Sequence, residues 1–166
     1  VANAAAHSGN AICREAGVRI LVTVGTGRFD ALVAAADRLE GAVVCQIGSG
    51  RTVPQKHRWF TLVPDLAQWY DWADIVVTHA GGGTLFEALE RGKSVIVVPN
   101  TGRTDSHQRE LAELFERRSN VLLCTHLDEL PAQVERLAKI PCTGYAAEPC
   151  LIPDAIHAFL NKKRWQ

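Results

Sequence analysis

Apolar residues recur along this chain in short, nearly continuous runs. These are RILVTV (19–24), AVVCQI (42–47), RWFTLV (58–63), DIVVTH (74–79), SVIVVP (94–99) and NVLLC (120–124). They are rich in β-branched residues and mostly do not alternate with polar ones, the pattern of strands covered on both faces. Between them, RFDALVAAADRLEG (28–41) carries Leu32, Ala35, Ala36 and Leu39 at helical spacing, with Gly41 placed to end the helix. DLAQWYDWA (65–73), GTLFEALERG (83–92), SHQRELAELFERR (106–118), LDELPAQVERLAKI (127–140) and PDAIHAFLNKK (153–163) predict further helices. GSGRTVPQKH (48–57) and PCTGYAAEPC (141–150) read as loops. Strands alternating with helices imply right-handed crossovers and a parallel, doubly wound α/β sheet.

The expected fold is therefore a Rossmann-like sheet of about six strands. Residues 1–18 have no clear period and form a lead-in, and 19–166 form one domain. In such sheets ligands bind beyond the carboxyl ends of the strands. Two glycine turns fall there: VGTG (24–27) after the first strand, and Gly81, Gly82 and Gly83 after the run 74–79. Glycine lets the backbone approach a ligand closely, and the N–H groups of a helix start favour an anion. Gly25, Thr26 and the three later glycines thus point to a diphosphate or phosphosugar site, although Thr26 would serve equally as a plain cap.

Other polar positions carry two readings. Thr84 and Glu87 form T-x-x-E, either a capping box or a carboxylate placed to accept from a vicinal diol. Asp105 to Gln108 is likewise either a helix cap or a group that both donates to and accepts from a sugar hydroxyl. Asp65 reads as a helix cap beside Val63 at a strand end. His79 is a weak candidate for a catalytic base, since a histidine at a strand end is more often simply packed and hydrogen-bonded. Trp69, Tyr70 and Trp72 share one helix, so at least one is expected at the surface and at a partner interface. NKKRWQ (161–166) reads first as a solvated tail and second as a contact for anionic lipid.

Composition narrows the classes. Lysine plus arginine number 18, as do aspartate plus glutamate, so no global field draws the chain to nucleic acid or an acidic membrane. No apolar stretch reaches the length of a membrane span, and the opening residues lack the pattern of a secretory signal. The 166 residues include no methionine, so the sequence is expected to be a fragment, a processed product, or one whose initiator is written as Val1. The 5 cysteines have no C-x-x-C spacing, which argues for reduced thiols, a cytoplasmic setting and no zinc. Cys45 and Cys124 read as small buried hydrophobes. An oxidoreductase using a dinucleotide is disfavoured: the first turn is G-T-G-R-F-D rather than G-x-G-x-x-G, and no acidic residue closes the second strand.

ILVTVGTGRFDALV, DIVVTHAGGGTLFEALERGKSVIVVPN and DSHQRELAELF together resemble the C-terminal domain of glycosyltransferase family 28. The likeness covers 19–118 and is nearer to the single-domain members. Those are the soluble subunit of the dolichol-linked GlcNAc transferase and the small subunit of bacterial exopolysaccharide glycosyltransferases. The resemblance implies one half of a GT-B enzyme that binds a UDP-sugar donor. Glu87 would hold the ribose, backbone groups near Val63 the uracil, and His107 and Gln108 the donor sugar and phosphates. It further implies a polyprenyl-linked saccharide acceptor and a membrane-anchored partner subunit that supplies the acceptor side and the base. The chain itself would lie in the cytoplasm, peripheral to the membrane through that partner. The donated hexose would be of GlcNAc or glucuronic acid type. No metal or other cofactor is called for, since there is no D-x-D motif. A non-catalytic nucleotide-binding or assembly subunit would share the same pocket.

Overall fold

The structure is a computed structural model that describes residues 17–79, 81–100 and 121–142. Six apolar runs become strands: β1 (Arg19–Thr23), β2 (Ala42–Gln46), β3 (Arg58–Phe60), β4 (Ile75–Thr78), β5 (Ser94–Val97) and β6 (Val121–Leu123). All are parallel, in the order β3-β2-β1-β4-β5-β6. The described helices are α1 (Asp30–Ala36), α2 (Ala67–Trp72), α3 (Gly82–Glu90) and α4 (Leu130–Ala138), the last preceded by a 3-10 turn at Leu127–Glu129. The helices expected at 106–118 and 153–163 and the tail at 161–166 lie outside the described residues.

Continuous apolar strands make sense once both faces are followed. Ile20, Val22, Ile75, Val77 and Ile96 face a core closed by α1 and α4, through Leu32 and Leu130 among others. Their neighbours Leu21, Val76, Val95 and Val97 face a second core closed by Tyr70 of α2 and Leu85 and Leu89 of α3. Successive residues of a strand point to opposite faces, so a sheet covered twice needs apolar residues at every position. Cys45 and Cys124 are packing residues in the first core, and burial pushes the Cys45 thiol up to about 12 with a lesser push from Asp37.

Two boundaries differ from the sequence pattern. α1 stops at Ala36 rather than at Gly41, and 3-10-like bonds carry the chain through Asp37, Arg38 and Leu39. Asp37 turns its carboxylate to the backbone N–H groups of Gln55 and Lys56, thereby fastening the β2–β3 loop. β3 ends at Phe60, which leaves 61–63 as a loop rather than strand. Of the three clustered aromatics, none is fully exposed. Tyr70 is buried, while Trp69 stacks on Phe60 at 5.1 Å and meets Trp72 edge-on at 6.2 Å. The edge strand offers Trp59 to solvent instead.

β1 and β4 are adjacent, and the chain departs from them in opposite directions across the sheet. Their starts are tied by Arg19, whose guanidinium meets both Asp74 carboxylate oxygens at 2.7 and 3.1 Å. With the starts in register, the carboxyl ends open side by side at the point where strand order reverses, where a crevice forms.

Candidate functional site

The crevice between β1 and β4 opens into a cleft of about 1250 Å³. Both glycine turns line it, at Gly25 to Gly27 and at Gly81 to Thr84. Its wall also includes the β3–α2 segment around Val63 and Asp65, His79, Glu87, and Asn100 after β5.

The first turn is built on buried polar groups. The Thr23 hydroxyl donates to the Gln46 side-chain oxygen and accepts from the Gly25 N–H at 3.1 Å. Gly25 takes φ +62, a left-handed conformation open to glycine at little cost. Gly48, φ +56, lies directly beneath, where a Cβ would run into the carbonyl oxygens of Gly27 and Gly25. Ser49 N–H donates to the Gly27 carbonyl at 3.0 Å, so the β2–β3 loop props the turn from below. Gln46 occupies the end of β2, the position where a dinucleotide enzyme would place its ribose-binding acid.

The second turn is different in kind. α3 starts at Gly82 with Gly81 as its cap, and no side chain bonds to the cap amides. The N–H groups of Gly82, Gly83 and Thr84 are the first of the helix and have no intrahelical acceptor. Neither Gly82 nor Gly83 has positive φ. Among the described residues, a Cβ at either would meet nothing within 4 Å outside its own helix and chain neighbours. Neither backbone conformation nor packing among those residues asks for glycine here. What their hydrogen side chains do is leave the helix N-terminus bare toward the cleft.

This geometry removes one of the two readings of T-x-x-E. Thr84 is the third residue of α3, not its cap, so it forms no capping box with Glu87. The helix begins earlier because Gly81 N–H turns back onto the His79 carbonyl and its own carbonyl accepts from Leu85 at 3.1 Å. Glu87 is left half-exposed on the cleft wall, 3.8 Å from Arg91. Burial, with Glu87 behind it, pushes the Tyr70 phenol under this helix up to about 12, against smaller lowering effects of Thr84 and Arg91. Tyr70 therefore stays a neutral packing group.

His79 is half-buried, with its ring wedged between the two turns. A Cβ at Gly25 would lie 3.4 Å from its Cε1, and one at Gly81 3.3 Å from its Nε2. It forms the floor that spaces the turns. Val63 borders the cleft, and its backbone N–H and C=O make no hydrogen bond among the described residues. Asp65 accepts from Ala67 N–H at 2.8 Å, one residue ahead of the cap position, which Leu66 occupies. Asp105, His107 and Gln108 lie outside the described residues.

Arg28, Asp30 and Asn100 line the cleft without having been singled out in the sequence. The signal was positional: Arg28 and Asp30 follow the first turn directly, and Asn100 follows β5 at the same rim. Asp30 is drawn down to about 2, first by the Thr52 N–H, then by Arg28 and the Arg51 N–H.

The glycosyltransferase family 28 C-terminal domain model matches residues 19–151. The chain belongs to this family. The human UDP-N-acetylglucosamine transferase subunit ALG13 is 33% identical over 148 residues, covering 77% of this chain and 13% of that protein. A Pelobacter propionicus UDP-N-acetylglucosamine--N-acetylmuramyl-(pentapeptide) pyrophosphoryl-undecaprenol N-acetylglucosamine transferase is 32% identical over 142 residues, covering 85% and 33%. The chain thus spans a minor part of the length of these family members. Among solved structures, MurG from Acinetobacter baumannii superposes with a TM-score of 0.60 at 21% identity, covering 75% of this chain and 42% of that one. That likeness identifies the fold as the Rossmann-like half of a GT-B glycosyltransferase.

Proposed function

We propose that this chain is the UDP-sugar-binding part of a split GT-B glycosyltransferase, acting with a membrane-anchored partner on a polyprenyl-linked acceptor. One observation carries the reading. Two glycine turns converge on one cleft, and at the second neither the backbone nor the packing of the described residues calls for Gly82 and Gly83. A bare helix N-terminus suits an anion, and the first glycine turn lines the same cleft, where backbone can approach a diphosphate closely.

On this reading Gly82, Gly83 and Thr84 N–H groups, with Thr26 opposite, hold the diphosphate. Glu87 accepts from both ribose hydroxyls, and the unused backbone groups of Val63 meet the uracil edge. The sugar, of GlcNAc or glucuronic acid type, is left to His107 and Gln108, the pair to which the family resemblance gives it. In the transfer, the bond between the sugar C1 and the diphosphate oxygen breaks, and UDP leaves with the electron pair. A new bond forms from an acceptor hydroxyl to C1, and the hydroxyl proton passes to a base. We assign that base to the partner, because His79 is occupied in spacing the two turns. The chain contributes positioning and amides that stabilise the departing charge. The names of the human and Pelobacter relatives, both GlcNAc transferases and one naming a lipid pyrophosphate, support the donor and acceptor classes. No helix among the described residues is long and apolar enough to cross a membrane, which fits attachment through a partner.

A thermal-shift panel of UDP, UDP-GlcNAc, UDP-glucuronate, GDP and NAD tests this directly, since a ligand that binds the folded form raises its melting point. We expect a response to the uridine nucleotides alone. A response to NAD, or to none of them, would overturn the proposal.

A further inference from the structure

The cleft is electrostatically lopsided. Among the described residues that line it, Arg28 is the one arginine or lysine, set against Asp30, Asp65 and Glu87. A diphosphate brings more negative charge into that ring, and a helix N-terminus offers only about half a positive charge. A cation near the phosphates would offset that charge, and the way Arg28 is held makes it available.

Its side chain is 60% exposed, and its Nε donates to Oδ2 of Asp30 at 2.5 Å. An exposed ion pair of this sort contributes little to stability, so leaving it costs little. Asp30 does not depend on it either. Its other oxygen, Oδ1, accepts from the backbone N–H groups of Arg51 and Thr52 at 2.8 and 2.9 Å. One oxygen fastens the 51–52 loop and the other holds the arginine. The Arg28 backbone is itself steadied by Asn100, whose Nδ2 donates to its carbonyl at 3.4 Å. Only the side chain has to move.

We infer that Arg28 is a diphosphate-binding arm, parked on Asp30 in the empty cleft and released to the phosphates when a nucleoside diphosphate enters. This rests on the cleft being the nucleotide site. It adds a cation that swings in with the ligand to the fixed amides of the two turns, and it gives Asp30 the role of holding that cation in reserve.

Calorimetric titration of the 166-residue chain and its variants with UDP, uridine and UDP-glucuronate tests it, with thermal denaturation of each variant alongside. Arg28→Ala is expected to weaken UDP about tenfold, as loss of a charge-assisted contact does, and to leave uridine unchanged. Asp30→Asn keeps Oδ1 for the two amides but replaces the oxygen that holds Arg28 with an amide nitrogen. It should tighten UDP about threefold, and the gain should be clearly smaller in the double variant, where only the loss of the Asp30 charge remains to favour the phosphates. Unchanged UDP affinity in Arg28→Ala overturns the arm. So does an equal loss for UDP and uridine, or a loss confined to UDP-glucuronate, which would move Arg28 to the sugar carboxylate. A gain from Asp30→Asn that is undiminished without Arg28 overturns the parking. If the unaltered chain binds neither UDP nor uridine, the reading of the cleft fails first, and the arm with it.

Discussion

The two glycine turns face each other across one cleft and owe their glycines to opposite causes. At the first, Gly25 sits at φ +62 and Gly48 at φ +56 with carbonyl oxygens packed against its Cα. Any side chain there would fight the fold. At the second, Gly82 and Gly83 have ordinary helical backbones, and no described residue would crowd a Cβ on either. An alanine would fold at least as well. A residue that costs helix stability and brings no conformational benefit is explained by what must pass close to it. The first turn is therefore architecture that a ligand can use. On the proposed function the second is a vacancy kept for the ligand, and it is the stronger signal for that site.

That contrast can be broken most forcefully at Gly48. Gly48→Ala should destabilise by about 3 kcal/mol, from the left-handed backbone and the collision beneath the first turn. Chemical denaturation measures it, and a change near zero would mean that the first turn is not held as described. Gly83→Ala should do the reverse, with stability unchanged or raised by up to about 1 kcal/mol while UDP affinity falls about tenfold. Titration and denaturation on the same sample separate the two effects, and a loss of both together would erase the distinction between the turns.

Glu87→Ala sharpens the comparison from within α3. With no capping box to lose, its stability should move by no more than about 0.5 kcal/mol. Uridine affinity should nevertheless drop about tenfold, because a carboxylate bonded to two hydroxyls is lost. Unchanged uridine binding would remove Glu87 from the site.

The smallest expected effect concerns acid. Asp30 is held down to about 2 in the folded chain, below its ordinary range near 4. Its folded value is the lower one, so the anchored carboxylate stabilises fully above the unfolded value. That contribution is lost as pH falls from about 4 through about 2. Asp30→Asn should flatten the decline in melting temperature over that interval. An unaltered slope would show that the loop anchor titrates elsewhere.

Much of this was legible in one dimension. Runs such as DIVVTH and SVIVVP are continuous because both faces of their strands are buried, and a parallel doubly wound sheet follows from their alternation with helices. The turns at Gly25 and Gly81 were visible for the same reason, as breaks at strand ends. Thr84 was ambiguous because T-x-x-E describes a capping box and a cleft wall equally well. The choice between them depends on where the helix starts, and a backbone turn two residues ahead of the helix sets that. Asp30 went unremarked because its value lies in contacts with residues 51 and 52, brought close only when β2 and its loop fold back under β1, and Arg28 because its place on the cleft depends on that anchored Asp30 and on Asn100 across the sheet edge.

Local order along the chain thus prescribes the strands, the helices, the crossover hand and the two turns, because each depends on periodicity and backbone preference within a few residues. Which glycines the fold requires, which acid faces the cleft, and which arginine is held in reserve depend on residues distant in the chain meeting at the carboxyl edge of the sheet. Those meetings are set by packing in three dimensions, where a missing Cβ either relieves a collision or leaves an opening.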